Sequence, residues 1–253
     1  MIIGYFHQGS GLGNQLHRYV AMRALALDKK YDWAMLYMPD GSGKEEGFKG
    51  KFFIEQPKLA TANDLLFLSE RWEEKKITEN GVDVRSYDPE INFIKDGTLI
   101  DGEFQDEKYW AHREKEVDEW LNVAPLGSPD DLCVIGFRGG EFSVFQDLFL
   151  PKEYWDEGIA ILKKINPNMR FEVHTDDEAL AKQFFPDYKV IHDIGFNWRS
   201  MRWAKYAIIA NSSFYILPRW LNKGVTVAPR FWARRNTKTW ALPQNYYSRF
   251  LYI

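Results

Sequence analysis

Apolar positions along the chain alternate between two periods, and the changes of period mark the elements. MIIGYF opens as a continuous apolar run of strand length. Glycines follow, and then Leu16, Tyr19, Val20, Ala24 and Leu27 recur at helical spacing, so residues 1–28 read strand, glycine turn, helix. DWAMLYM reads as a second strand. Residues 39–51, PDGSGKEEGFKGK, concentrate Gly, Lys and Glu and predict an exposed loop. NDLLFLSERWEE predicts a helix capped by Asn63, TLIDGEF a strand ending near Gly102, and REKEVDEWLN a short amphipathic helix. VAPLGSPDD, residues 123–131, carries two prolines and a glycine and is the linker candidate.

The second half alternates more regularly. LCVIGF, RFEVHT, KVIHD, YAIIAN and VTVAP predict strands. Between them PKEYWDEGIAILKKIN, DEALAKQFF, WRSMRWAK and SSFYILPRWLNK predict helices, with Pro151 suited to a first turn and Pro218 inside the last helix. Buried strands alternating with crossover helices imply an α/β protein with a doubly wound parallel sheet. Ligands of such sheets sit at the carboxyl ends of the strands. That rule selects the loops after Phe6, Phe137, Thr175 and Asn211.

Composition narrows the functional classes. A net charge of -3 over 253 residues excludes a general nucleic-acid binder. Aromatic residues reach 16%, with 10 Trp and 13 Tyr; they fill cores, and their faces also stack on sugar C–H groups. The single cysteine, Cys133, has no partner for an internal disulfide, which fits a reducing compartment. No apolar run is long enough for a membrane span, and the first residues form a strand candidate rather than a signal peptide. Cytoplasmic residence is the expectation, with peripheral membrane contact left open.

GSGLGNQLHRY poses the first chemical question. A dinucleotide fingerprint needs glycine at its first, third and sixth positions, and here Gly9 and Gly11 are followed by Asn14, with Gly13 one place early. The ribose-binding acid could only be Asp28 or Asp32, and neither ends a second strand. This argues against NAD or FAD. A tight turn without a ligand, or a loop whose backbone and Asn14 face a sugar, remains. In GFRGGEF, Arg138 follows a buried strand and could clamp a phosphate, with Glu141 nearby as a proton acceptor; a plain Arg138–Glu141 salt bridge is the alternative. In VHTDD, Asp176 and Asp177 could accept from guanine, while Asp177 could equally cap a helix. A metal reading lacks a third ligand. In ANSSF, Asn211, Ser212 and Ser213 lead into a helix whose amides could bind phosphate or merely be capped. His7, His17 and His112 lie near predicted strand ends or loops, and His17 reads as a surface residue.

Together these motifs resemble the α-1,2-fucosyltransferase family, glycosyltransferase family 11, and more distantly the α-1,6- and protein O-fucosyltransferases. GLGNQLHRYVAMRALAL, DGEFQDEKYW, GFRGGEF, VHTDD, AIIANSSFYILPRWLN and VAPRFW follow that family's order over nearly the whole chain. The resemblance implies a GT-B-like fold of two Rossmann-like domains: an acceptor-side domain over 1–125 and a GDP-sugar donor domain over 126–253. It implies inverting, metal-independent transfer of L-fucose from GDP-β-L-fucose to a glycan hydroxyl, with no cofactor. Carried over by position, Arg138 contacts the β-phosphate, Asp176 or Asp177 reads guanine, and Ser212 and Ser213 hold the pyrophosphate, with Asn211 and Phe214 beside them in the donor site. Gly11, Gly13, Asn14 and Gln15 face fucose and acceptor. Glu141 is the expected base, with Asp147 and Glu103 behind it.

The chain also departs from the family. The family's His is Gly136, its second Arg is Gly139, its Asp is Glu141, and its SWWGAW is YILPRW. The expected donor site thereby loses a positive charge and gains room, and Arg199, Arg202 or Arg219 could restore the charge. Rival readings are an inverting transferase using another GDP-sugar, favoured by Gly136 and Gly139, and a non-catalytic glycan- or nucleotide-binding relative.

Overall fold

The computed structural model describes residues 1–38, 47–79, 82–145, 147–233 and 246–253. The chain divides into two compact units, Met1–Val123 and Ala124–Ile253, each built on its own parallel sheet.

The first unit contains β1 (Ile2–His7), α1 (Leu12–Lys29), β2 (Trp33–Met38), α2 (Ala62–Leu65), β3 (Glu70–Glu73), β4 (Ile77–Glu79), β5 (Val82–Val84), β6 (Thr98–Asp101) and α3 (Glu114–Trp120). Its four-stranded sheet runs β2-β1-β6-β3 with all pairings parallel. The apolar β1 is central, with Ile2, Ile3 and Phe6 fully buried. α1 starts at Gly11 without a side-chain cap and stops where Lys30 turns left-handed at φ 57°. It is buried on almost every side until its last turn, where Leu27 is exposed. Leu27 therefore does not continue the buried stripe that its spacing predicts.

Three local expectations are corrected here. The predicted helix over NDLLFLSERWEE is one turn only. Thr61, not Asn63, caps it through a reciprocal capping box with Asp64. The amides of Ser69 and Glu70 then turn to the carbonyl of Gly97, and ERWE leaves as β3 to pair with β6. The predicted loop over 39–51 lies outside the described residues at 39–46, and of its described end Gly47 and Lys51 are exposed while Phe48 and Gly50 are buried. Phe48 is buried against Phe6 and Tyr19, and the Lys49 amide donates to Gln15 Oε1 at 2.9 Å. The small antiparallel ribbon β4–β5 is not foreshadowed by any clear alternation.

The second unit contains β7 (Leu132–Phe137), α4 (Lys152–Ile165), β8 (Arg170–Thr175), α5 (Glu178–Phe184), β9 (Lys189–Ile191), α6 (Ile194–Trp203), β10 (Tyr206–Ile209), α7 (Ser213–Asn222), β11 (Val225–Ala228) and β12 (Leu251–Tyr252). The sheet order is β12-β11-β10-β7-β8-β9, parallel throughout. Counted from β7, this is the 3-2-1-4-5-6 order of a Rossmann sheet, whose order reverses between β7 and β10. The inner strands are buried on both faces, which explains their unbroken apolar runs. Pro218 sits inside α7 without an N–H to give. The helix holds because Ile216, Leu217, Trp220 and Leu221 are buried.

Candidate functional site

The carboxyl edge of the second sheet gathers the charged groups. Arg138 follows β7 directly, and Asp176 follows β8. Arg138 forms an ion pair with Asp176 through Nη1 and donates from Nη2 to Glu141 Oε1 at 3.0 Å. The Gly139 amide donates to the other Asp176 oxygen at 2.9 Å, and the Phe142 ring lies 5.4 Å from the guanidinium. The residues expected to clamp phosphate, read guanine and accept a proton are thus bonded to one another. Two of the guanidinium's five N–H groups are used in these bonds. Asp177 serves the helix instead. Its Oδ1 accepts from the Leu180 amide at 3.0 Å and caps α5.

Across the reversal point, the loop after β10 carries Asn211 and Ser212 into α7. Tyr154 of α4 fixes the end of β10, donating to the Ile209 carbonyl at 2.6 Å. Asn211 is buried, and its amide nitrogen donates to the carbonyls of Leu148 and Trp232. It is a strut between loops. Ser212 stands at the N-cap of α7 without a side-chain capping bond, and Ser213 begins the helix. Phe214 packs edge-on against Trp198 and Tyr215. The first turn of α7 therefore faces the same edge as Arg138, and helix amides with the positive end of the dipole suit an anion.

The expected extra room is absent. A Cβ at Gly136 would lie 2.8 Å from Met201 Cε and 2.9 Å from the Tyr215 ring. Tyr215 donates its hydroxyl toward the carbonyls of Phe137 and His174, at 3.1 and 3.3 Å. Burial pushes its phenol well above the usual range. Glycine at 136 and tyrosine at 215 form one packed unit, which single-residue comparison with the family misses. At Gly139 a Cβ would meet Asp177 Cβ at 2.7 Å. The three arginines considered as replacements are engaged elsewhere. Arg219 is fully buried, bonded to Thr226 Oγ1 and the carbonyls of Met201, Ala204 and Val225, and burial lowers it to about 9. Arg199 donates to the carbonyls of Ala124 and Pro125, and Arg202 is buried with its guanidinium over Trp203. Asp147 stands in the loop between Glu141 and α4.

In the first unit, Gly9 takes φ +76°, a conformation that needs glycine, whereas Gly11 opens onto free space at its Cβ position. Gly13 and Gln15 are buried in α1, and Gln15 anchors Lys49 as described above. Asn14 accepts from Gln105 Nε2 at 3.1 Å. Arg18 bonds to Ser10, to the Gly102 carbonyl and to Glu103 at 2.7 Å, so Glu103 is half of an ion pair. His7 Nε2 lies 2.6 Å from Asp101 Oδ1. His112 and Arg113 both hold Asp28, one of the two acids a dinucleotide reading could have used. The surface reading of His17 is corrected. The side chain is fully buried, its Nδ1 bonds the Gly13 carbonyl at 2.9 Å, and burial lowers it to about 4. Helical spacing did place position 17 between two buried neighbours, and that was the available signal.

Among the described residues no three His, Cys, Asp or Glu side chains converge as a metal site requires, and no helix is long and apolar enough to cross a membrane. No family model matches the sequence, and no curated protein matches it. Among solved structures, the chain resembles the E. coli heptosyltransferase WaaC with ADP at TM-score 0.51 and 12% identity, covering 100% of this chain and 92% of that one. The same enzyme with ADP-2-deoxy-2-fluoro heptose gives a TM-score of 0.49 and 12% identity, covering 100% and 93%. At this identity the likeness is one of fold: α/β and GT-B-like, with two Rossmann-like units.

Proposed function

We propose that the chain is an inverting glycosyltransferase that holds a nucleoside-diphosphate sugar at the carboxyl edge of the second sheet and takes its acceptor on the first unit. One observation carries the reading. Arg138 and the start of α7 flank the point where the order of a Rossmann sheet reverses, which is where such sheets bind diphosphates. The ordered resemblance of GLGNQ, GFRGGEF, VHTDD and IIANSSF to α-1,2-fucosyltransferases supports GDP-β-L-fucose as donor, a glycan hydroxyl as acceptor and a metal-independent reaction. Cleavage of the sugar–phosphate bond leaves charge on the departing diphosphate. In this reading Arg138 and the Ser212–Ser213 turn stabilise it, and one such donor is worth about 3–4 kcal/mol. Asp176 sits beside Arg138, and its carboxylate keeps lone pairs beyond those that Arg138 and the Gly139 amide occupy.

A second reading, a transferase with another GDP-sugar, rests on the glycines at 136 and 139, where the family has His and Arg. The test is thermal unfolding with GDP, UDP, ADP, CMP, NAD and GDP-fucose, each with and without EDTA. A ligand at 100 times its Kd stabilises by about 2.7 kcal/mol, a shift of several degrees. A shift with GDP and GDP-fucose that survives EDTA supports the fucosyl reading, and its loss in Arg138→Ala locates the site. Glu141→Gln is expected to keep GDP binding. A shift with GDP but not GDP-fucose favours the second reading. A shift with no nucleotide refutes both.

A further inference from the structure

In the second unit one buried histidine faces an acceptor at each ring nitrogen. His174 lies on β8, two positions before Asp176, and is fully buried. Its Nε2 stands 3.0 Å from Glu172 Oε1, and its Nδ1 stands 2.8 Å from Asn197 Oδ1 on α6. The nitrogen of the same Asn197 amide donates to the Thr175 carbonyl at 3.2 Å, which fixes its oxygen toward the ring. Reversing the amide would set that oxygen against a carbonyl. Glu172 also accepts from Lys189 of β9 at 2.9 Å. Its bond to His174, helped by Lys189, outweighs burial and holds the Glu172 carboxyl down to about 2. An ionised carboxylate and an amide oxygen only accept hydrogen bonds, so the ring donates from both nitrogens, and such a ring is an imidazolium.

The neighbouring elements close around it. α6 also contributes the Phe196 ring, stacked at 5.8 Å, and β7 sets Gly136 opposite in the parallel register. The titratable groups turned toward His174 are Glu172 on its own strand, Lys189 on β9 beyond that carboxylate, and Tyr215 on α7, whose hydroxyl reaches the His174 carbonyl. The residue that Asn197 holds, Thr175, begins the turn at the donor edge. Thr175 Oγ1 accepts from the Asp177 amide at 2.9 Å, and Asp176 between them holds Arg138 and the Gly139 amide. A neutral ring has one N–H. Glu172, the charged partner, keeps it, and Nδ1 then turns a lone pair on the Asn197 oxygen. The amide has to reverse to meet that lone pair, and the Thr175 carbonyl loses this donor.

We propose that His174 is a positioning residue for the donor edge: held as an imidazolium between Glu172 and Asn197, it fastens the turn that carries Asp176, and nucleoside-diphosphate binding weakens as its second proton is lost with rising pH. The binding half rests on the glycosyltransferase reading; the protonation half does not. Every group involved belongs to the second unit.

Two measurements test it. Long-range proton–nitrogen NMR of histidine-labelled protein at pH 7 resolves the 5 histidines, with His174 assigned by its loss in His174→Gln and its displacement in Glu172→Gln. Two protonated ring nitrogens are expected in the wild type and one in Glu172→Gln, where a buried imidazolium has lost its counter-charge. A single ring proton in the wild type overturns the proposal. GDP affinity is then followed by calorimetry from pH 6 to pH 9. The wild-type affinity is expected to fall as the second proton leaves, and the fall to move to lower pH in Glu172→Gln; titration of the GDP phosphates is common to both. Asn197→Asp keeps an acceptor for the imidazolium but gives up the donor to Thr175. Its GDP Kd is expected to rise by about three- to tenfold, the range of one net hydrogen bond, with both ring protons kept. Identical pH profiles in wild type and Glu172→Gln, or an Asn197→Asp Kd within about twofold of wild type, overturn the coupling to the donor edge. A wild type that binds no GDP at any of these pH values overturns the GDP-sugar reading and the binding half of the proposal with it, while the ring protons still decide the imidazolium.

Discussion

His17 makes the first unit sensitive to mild acid. Its ring is fully buried, Nδ1 donates to the Gly13 carbonyl, and Nε2 is buried without a partner against Trp110. Burial is the main cause of its depressed pKa, opposed by the Gly13 bond and reinforced by Arg18, and brings it from 6.5 to about 4. Above pH 6.5 the ring is neutral in both folded and unfolded chains and contributes nothing to the pH dependence. As pH falls from 6.5 towards 4, the unfolded chain takes up a proton that the folded one refuses, and stability is lost. The full loss below pH 4 is about 3 kcal/mol, at ~1.4 kcal/mol per pH unit between the two values. Between pH 7 and pH 4.5 it is about 2 kcal/mol, roughly fiftyfold in the folded-to-unfolded ratio. Hydrogen–deuterium exchange of the α1 segment, corrected for intrinsic rate, reads this opening in wild type and in His17→Phe. The carboxylates and other histidines titrate alike in both, so the difference between the two pH dependences isolates His17. A difference below about 0.5 kcal/mol would refute the account of a neutral ring trapped by burial.

Two further outcomes follow from packing. Gly136→Ala puts a methyl within 2.9 Å of Met201 and Tyr215, so a loss of about 1–3 kcal/mol is expected, read as a lower thermal midpoint; an unchanged midpoint would mean that α7 can shift freely. Arg219→Met strands the carbonyls of Met201, Ala204 and Val225, each of which costs about 1–3 kcal/mol when left unpaired, and Arg219→Lys is expected to recover little because one ammonium cannot span them; near-wild-type urea midpoints in both would refute this.

The alternation in the second half was legible because its strands are buried on both faces and its helices on one, so the two periods separate cleanly. The first half was less legible where distant partners decide local structure. ERWE becomes a strand because β6 offers an edge, and Phe48 is buried by a bond from Lys49 to a glutamine 34 residues away. Reading the strand-end rule off the sequence brought Arg138, Asp176 and Ser212 to one edge. It did not show that Arg138 and Asp176 would satisfy each other, because that bond crosses 38 positions. Nor could it show that the space left by Gly136 is filled by Tyr215. The His7–Asp101 pair was invisible for the same reason: the two residues are 94 positions apart and meet only through parallel pairing of β1 with β6.

The Arg138 cluster also sets the order in which its bonds can give way. Asp176 is held twice, by the guanidinium and by the Gly139 amide, and that second bond fixes the backbone turn after β7. Glu141 is held by Arg138 through a single exposed bond. Water competes for an exposed pair and weakens it, so Glu141 is the partner an incoming phosphate displaces at least cost. Glutamine keeps an acceptor oxygen but loses the charge, so it weakens the hold on Arg138 Nη2 and leaves the turn intact. Glu141→Gln should therefore tighten diphosphate binding, in the same thermal assay in which Arg138→Ala abolishes it. Asp176→Asn lacks this selectivity, because it alters the charge and the turn at once. Weaker GDP binding in Glu141→Gln would mean that the carboxylate steers Arg138 into its binding position instead of competing with the ligand.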